Sequence, residues 1–287
     1  MQLKRLRIGG VPEHFNLPWK LAVANRAFDS LGVDLHYAEY PAGTGELTRA
    51  LRNNELDAAL VLTEGAVQDV VQHNTNRLIK VYVRSPLTWG IHVAAPGDIQ
   101  HVEDIRGRRV AISRYGSGSH LIGIVDAIER GWSLDEMTFV VIDDLDGARR
   151  ALAGGKADVF LWERHTTQPL VDNGEFRRVG ERIVPWPAFV VSARREFISS
   201  YSSELRAALD VAATCAMNLK RRKSAAALVA NTYGLQQKGA ATWLSEVSWS
   251  NSYRRPTSAL KKVIRALQAQ QSIPQSAVDP DRVWHRL

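Results

Sequence analysis

Ala50-Leu-Arg-Asn-Asn-Glu-Leu-Asp-Ala-Ala-Leu60 returns without a gap, 101 residues later, as Ala151-Leu-Ala-Gly-Gly-Lys-Ala-Asp-Val-Phe-Leu161, with Ala, Leu, Asp and Leu in matching places. Each copy closes the same series of elements. Leu6–Val11 reads as a strand, Trp19–Leu31 as a helix stopped at Gly32, Val33–Tyr40 as a strand, Glu46–Asn53 as a helix and Asp57–Leu62 as a short apolar strand. Val110–Ser113, Ser119–Gly131, Thr138–Ile142, Ala148–Ala153 and Asp158–Trp162 repeat that order. A β-α-β-α-β series builds a parallel sheet with helices on its faces, and its repetition predicts two similar α/β lobes.

Between the copies lies a β-rich stretch, Leu78–Ala95, and a second one, Ile183–Ser192, follows the second copy. Thereafter the apolar spacing turns helical over Ser203–Lys220, Ser224–Tyr233, Gly239–Ser245 and Ser258–Gln270. Two extended crossings flanking one lobe predict a two-stranded hinge. The expected division places residues 1–86 and 188–287 in a discontinuous first lobe with a helical C-terminal part, and residues 87–187 in an inserted second lobe.

The chain carries 37 Lys and Arg against 30 Asp and Glu, a formal charge of +7. The clusters Lys220-Arg-Arg-Lys223, Arg254-Arg255 and Lys261-Lys262 are interrupted by acids elsewhere, and no nucleic-acid-binding motif accompanies them, so nucleic acid is not expected as a partner. Cys215 is the single cysteine, which excludes an internal disulfide and any cysteine-built metal site. Ala58–Leu62 and Ala188–Val191 fall far short of the ~18 apolar residues of a membrane span, so no membrane insertion is expected. The Met1–Ile8 start is basic without an apolar run. A cytoplasmic protein is expected as written, a periplasmic one if a signal segment precedes it, and a monomer in either case.

Ligands of parallel α/β sheets gather beyond the carboxyl ends of the strands, so the loops after each strand carry the functional expectation. Trp19, Trp89, Trp162 and Trp186 sit in or beside such loops, where aromatic rings would suit a flat or apolar small molecule or else fill the core. Gly116-Ser117-Gly118-Ser119 joins a strand to a helix. Its amides could hold an anion at the positive helix end, with Arg114 adding a full charge, unless its serines merely close a capping turn. Gly43-Thr44-Gly45 is a similar, weaker candidate. His14, His120 and His165 lack paired ligand spacing, so no metal is expected, and neither a dinucleotide fingerprint, a Walker sequence nor a nucleophile elbow is present. No cofactor is expected. Asp57 and Asp158, at the starts of equivalent strands, read as structural turn or cap residues.

Arg7-Ile-Gly-Gly-Val-Pro-Glu-His-Phe-Asn-Leu-Pro-Trp19, Gly43-Thr-Gly-Glu-Leu47, Asp57-Ala-Ala-Leu60 and Arg114-Tyr-Gly-Ser-Gly-Ser-His120 resemble type II periplasmic-binding-protein-like proteins. The branch is the one holding nitrate/sulfonate/taurine solute-binding proteins and thiamine-pyrimidine synthase-like proteins. The resemblance implies an α/β, two-lobed fold of mixed sheets flanked by helices, with a small molecule clamped between the lobes. Carried over by position, it implies contacts from His14, Asn16, Thr63, Glu64 and Ser85, and from Trp89, Ser117, Ser119, Trp162 and Trp186. The implied function is that of the substrate-binding component of an ABC importer for an anionic or heteroaromatic ligand, with an ABC-type permease as partner. The alternative is a cytoplasmic enzyme on the same scaffold acting on a pyrimidine, a thiamine precursor or another cyclic metabolite, with His14 or Glu64 as acid or base. Exported members carry a signal segment, and the fungal pyrimidine synthases a cysteine-rich one; neither stands in this sequence.

Overall fold

The computed structural model describes residues 4–276 and 278–287, so the first three residues of the basic Met1–Ile8 stretch lie outside the described residues. The first repeat folds as β1 (Lys4–Gly10), α1 (Leu17–Ala24), β2 (Val33–Glu39), α2 (Thr44–Arg52) and β3 (Ala58–Leu62), and α3 (Thr63–His73) and β4 (Asn76–Val83) follow it. Next come β5 (Thr88–Ala94), β6 (Arg109–Ile112), α4 (Gly118–Glu129), β7 (Thr138–Val141), α5 (Leu145–Ala153), β8 (Val159–Glu163), α6 (Gln168–Asp172) and β9 (Phe176–Ile183). β10 (Phe189–Arg194) then leads into α7 (Arg195–Arg221), α8 (Ala225–Tyr233), α9 (Gln237–Glu246), α10 (Thr257–Ala269) and α11 (Pro280–Val283).

Two mixed five-stranded sheets result, ordered β2-β1-β3-β10-β4 and β7-β6-β8-β5-β9. In each, the three strands of a repeat run parallel, and one reversed strand from outside the repeat pairs against the third of them: β10 against β3, β5 against β8. Both crossings therefore end in a reversed strand. The crossings are hydrogen-bonded to each other, Val184 N–H to the Leu87 carbonyl at 3.4 Å and Ala188 N–H to the Ser85 carbonyl at 3.1 Å.

The strand β3 reads as an unbroken apolar run because helices cover both faces of the sheet, and Ala58, Ala59, Leu60 and Val61 are fully buried. Leu47, Ala50 and Leu51 give α2 one apolar face, as Ala148, Ala151 and Leu152 do for α5, so the repeated segments bury equivalent positions. Truncating such a residue, Leu60→Ala for example, costs about 2–5 kcal/mol.

Three local expectations are corrected. The first helix stops at Ala24, not Leu31, because the chain turns through Arg26 at φ 54 and continues as a single 3-10 turn, Asp29–Leu31. Thr63-Glu64-Gly65 is not a loop but the first turn of α3, whose Ala66, Val67 and Val70 pack inward despite the glycine. The strand β9 was not legible, since its Arg and Glu residues look like a surface stretch; at a sheet edge such charges are tolerated. Among the described residues no helix is long and apolar enough to cross a membrane.

Candidate functional site

The carboxyl ends of both sheets converge on one cavity of about 50 Å³, room for about four waters at roughly 10–15 Å³ each. From the first sheet it receives Val11 and Glu13 after β1, Gly43 and Thr44 at the start of α2, Leu62 at the end of β3 and Phe189 of β10. From the second come Ser113 and Arg114 after β6, Ser117–Ser119 at the start of α4, and Trp162 and Glu163 at the end of β8. Leu87 and Trp89 enter from the first crossing.

One end of the cavity is electropositive. Arg114 reaches from the second sheet to the first and donates to the Ala42 carbonyl, lying over Gly45, where any side chain would meet its guanidinium. It has no carboxylate ion-pair partner among the described residues, and burial, with Arg49 nearby, lowers its pKa against the weaker pull of Glu46. The helices α2 and α4 both start here. Gly43, at φ 79, supplies no capping side chain to α2, and the first amides of a helix have no intrahelical partner. The Thr44 hydroxyl accepts from Leu62 N–H at 3.0 Å, leaving its own proton to donate.

The other end is acidic. Glu13 has no side-chain hydrogen bond or ion pair among the described residues, and desolvation, with the charge of Glu163 added, pushes its carboxyl up to about 8. Glu163 is buried, and its Oε2 accepts from the Thr166 amide at 2.7 Å and hydroxyl at 2.9 Å. His14 Nε2 stands 3.7 Å from that oxygen. Its ring packs against Phe15, Tyr233 and Trp243, and desolvation pulls it down to about 4, against Glu163, so it is neutral at pH 7.

Of the residues expected at the site, Trp89, Arg114, Ser117, Gly118, Ser119 and Trp162 line the cavity. The hydroxyls of the α4 turn serve the turn itself: Ser117 caps His120 N–H, contacts Ser119 Oγ at 3.0 Å, and Ser119 receives Ser113 N–H at 3.0 Å. Gly118 is where the indole of Trp89 and the Leu62 side chain come closest, since a Cβ there would lie 2.7 and 2.8 Å from them. Trp89 is buried and its indole N–H has no partner.

Elsewhere the placements differ. Trp19 is fully buried and stacked on Phe28 and Tyr37, a core position reached because α1 turns inward. Asn16 donates to the Val11 carbonyl at 2.8 Å and props the loop from behind, while Ser85 accepts from Ser248 N–H. Thr63 and Glu64 hold the second crossing, through Pro187 and through the Trp186 indole N–H, which donates to Glu64 Oε2 at 2.9 Å. Neither Trp186 nor His14 lines the cavity, and Gly116 sits at the turn tip at φ 77. Gly43 and Thr44 of the weaker glycine-turn candidate line it too, whereas Glu13 and Glu163 line it without having been singled out as contacts, although each stands in a segment after or at the end of a strand that the sequence marks. Among the described residues no cluster of His, Cys, Asp and Glu could hold a metal ion.

The whole chain superimposes on the Candida albicans CA3427 gene product, described as defining a family with the generic periplasmic binding protein fold, at a TM-score of 0.87 and 23% identity over 98% of this chain and 94% of that one. The protein has the periplasmic-binding-protein fold. Residues 89–182 also match the family described as Ca3427-like PBP. Similar structures include the alkanesulfonate-binding protein SsuA from Xanthomonas axonopodis pv. citri bound to MOPS, at a TM-score of 0.85 and 18% identity over 100% of both chains. The periplasmic aliphatic sulphonate binding protein SsuA from Escherichia coli is similar at 0.75 and 18%, over 98% of this chain and 92% of that one. No curated protein matches this sequence.

Proposed function

We propose that this chain binds a small anionic molecule between two lobes, residues 1–86 with 188–287 and residues 87–187, which close over it about the paired crossings. The observation that carries the reading is Arg114: a desolvated cation with no carboxylate partner, facing a cavity at which two helices begin. Aligned helix amides and an unpaired guanidinium favour a sulfonate or carboxylate over a neutral group. Trp89 adds an unpartnered N–H donor. Sulfonate-binding neighbours support the sulfonate class, and the fold supports a role as the binding component of an ABC-type importer handing its ligand to a permease.

A thermal-shift series of alkanesulfonates and carboxylates, followed by calorimetry, tests this. Saturation at 100 times Kd adds about 2.7 kcal/mol to stability. Arg114→Ala is expected to weaken the best anion at least tenfold while the melting temperature holds. Unchanged affinity in that variant, or conversion of the bound compound to a product, overturns the reading.

A further inference from the structure

We propose that an opening beside the paired crossings, between the end of β4 and the start of α10, is a second binding site whose occupant carries a phosphate monoester. None of the residues lining it lines the cavity at Arg114, so it stands independently of the anion-binding reading of that cavity.

The segment after α9 runs antiparallel to the end of β4. Trp249 pairs with Val83, Arg84 N–H donates to the Ser248 carbonyl at 2.7 Å and Ser250 N–H to the Tyr82 carbonyl at 2.9 Å. Residues 251–256 then form no regular element and are pinned by Tyr253. Its hydroxyl donates to Asp210 Oδ1 at 2.7 Å, and its ring meets the Lys80 ammonium at 3.8 Å and the Arg206 guanidinium at 4.4 Å. The loop so held borders an opening of about 590 Å³, which Arg84 and Pro187 reach from the two crossings. That is the size of a site for a small organic molecule.

The lining is rich in donors and holds no carboxylate. Arg84, Arg254 and Arg255 face the opening, with no Asp or Glu beside them. Arg255 meets Asp281 and the Thr257 hydroxyl, but neither Arg84 nor Arg254 has a carboxylate partner among the described residues. Ser250 Oγ accepts from Ser252 N–H at 3.2 Å, Ser252 Oγ from Arg254 N–H at 3.1 Å and Thr257 Oγ1 from Arg255 Nε at 3.1 Å, which leaves three hydroxyl protons to donate. The helix α10 starts at the same rim, and no side chain caps its first amides. Two guanidiniums without a counter-charge match a group of two negative charges. A phosphate monoester carries about −1.5 to −2 at pH 7 and three acceptor oxygens that guanidinium forks grip in pairs, whereas a sulfonate or carboxylate carries one charge. Val81, Pro187, Trp249 and Ala259 give the opening an apolar wall for the rest of the molecule.

Calorimetry at pH 7.5 with phenyl phosphate and benzenesulfonate tests the site, and repeating both titrations in Arg114→Ala keeps the two cavities apart. In that variant phenyl phosphate is expected to bind as in the native chain and at least tenfold tighter than benzenesulfonate. Arg84→Gln with Arg254→Gln should weaken phenyl phosphate at least tenfold and leave the anion that binds at Arg114 unaffected. Among the described residues the Arg254 side chain has no hydrogen bond and Arg84 has only Ser248 Oγ, so the fold should hold, as melting temperatures verify; Arg254→Gln alone, expected to weaken the probe several-fold, serves should the pair unfold. Sedimentation with phosphatidylcholine vesicles containing one-fifth phosphatidic acid separates the two sources of such a group. Binding of phenyl phosphate without the vesicles supports the site and names a free organic phosphate; vesicle binding that the double variant abolishes supports it and names a lipid headgroup. Benzenesulfonate binding Arg114→Ala as tightly as phenyl phosphate overturns the phosphate class. Phenyl phosphate lost in Arg114→Ala but kept in the double variant, or no binding of either probe or the vesicles, overturns the site, and neither result bears on the anion-binding reading at Arg114.

Discussion

Arg109 closes on Asp158 through its backbone amide at 2.9 Å and its guanidinium at 2.9 and 2.8 Å. Arg7 meets Asp57 through the same three contacts in the first repeat, at 2.9, 3.1 and 2.8 Å. The repeated Asp thus ties the first strand of each unit to the entry of its third. The two sites are not equally buried: Asp57 also receives Arg194 and its side chain is 3% exposed, against 19% for Asp158. Asp57→Ala, which strands two cations, is expected to cost about 3 kcal/mol, and Asp158→Ala about 1 kcal/mol, by urea denaturation. The Arg partners hold both carboxyls below the usual range, overcoming desolvation at Asp57. Their contribution is therefore present above the unfolded value, about pH 4, and lost as pH falls through the lower folded value. Acid melts in which both variants lose stability as steeply as the native chain would contradict this.

Gly118 gives the Trp89 indole its place. Its φ is not in the left-handed region, so a larger residue fits the backbone but not the space. Gly118→Val is expected to displace Trp89, change the intrinsic fluorescence without ligand and weaken binding at least tenfold. Trp89→Phe should abolish most of the ligand-induced fluorescence change, whereas Trp186→Phe should leave it, since Trp186 is held by Glu64 outside the cavity. The reverse order of effects would place the ligand at the second crossing.

Glu64 provides a pH test of the second crossing. Desolvation pushes its carboxyl up to about 7, against the pull of its own amide and of Trp186. Between about pH 4.5 and 7 the folded chain then binds more protons at this site than the unfolded one, so stability falls as pH rises through that window. Glu64→Gln keeps an acceptor for Trp186 and removes the penalty. At pH 8 it is expected to be more stable than the native chain by up to about 3 kcal/mol, with little difference at pH 4. Parallel denaturation curves at the two pH values check this; a constant difference would deny Glu64 the titration.

A polar latch joins the second sheet to the C-terminal helices. Glu246, ending α9, holds Arg164 at 2.6 Å and His165 at 3.0 Å, and Gln236 donates to Asp172 at 2.9 Å. Exposed pairs of this kind contribute under about 1 kcal/mol to stability. If the lobes close as proposed, the same energy shifts the balance between open and closed forms roughly fivefold. Glu246→Ala should leave the melting temperature within a few degrees, enlarge the radius of gyration without ligand and weaken binding several-fold; 0.5 M salt should mimic it in the native chain. An unchanged scattering profile would show the latch to be idle.

The element order was legible because Leu47, Ala50, Leu51 and their counterparts Ala148, Ala151 and Leu152 repeat both spacing and setting. Part of the cavity lining was legible too, since Arg114 and Ser117–Ser119 follow β6 and Trp89 lies in the first crossing, at the start of β5. Glu13 and Glu163 were not singled out for a different reason. Each alone reads as a solvated loop acid, and their convergence depends on two sheets meeting, which no local pattern encodes. Trp19 misled for the converse reason: its loop faces the cavity, but one helical turn rotates its ring into the core between Phe28 and Tyr37.

The strand β10 separates β3 from β4 in the first sheet, yet it is the last strand of the chain and about a hundred residues later than either. On a ribosome adding 5–20 residues per second, β3 and β4 wait roughly 5–20 seconds for it. All five strands of the second sheet have been made by Ile183, before β10 exists. The inserted half can therefore assemble first, while the half that begins the chain holds two unpaired apolar edges. Its folding in the cell is tied to whatever shields those edges during synthesis.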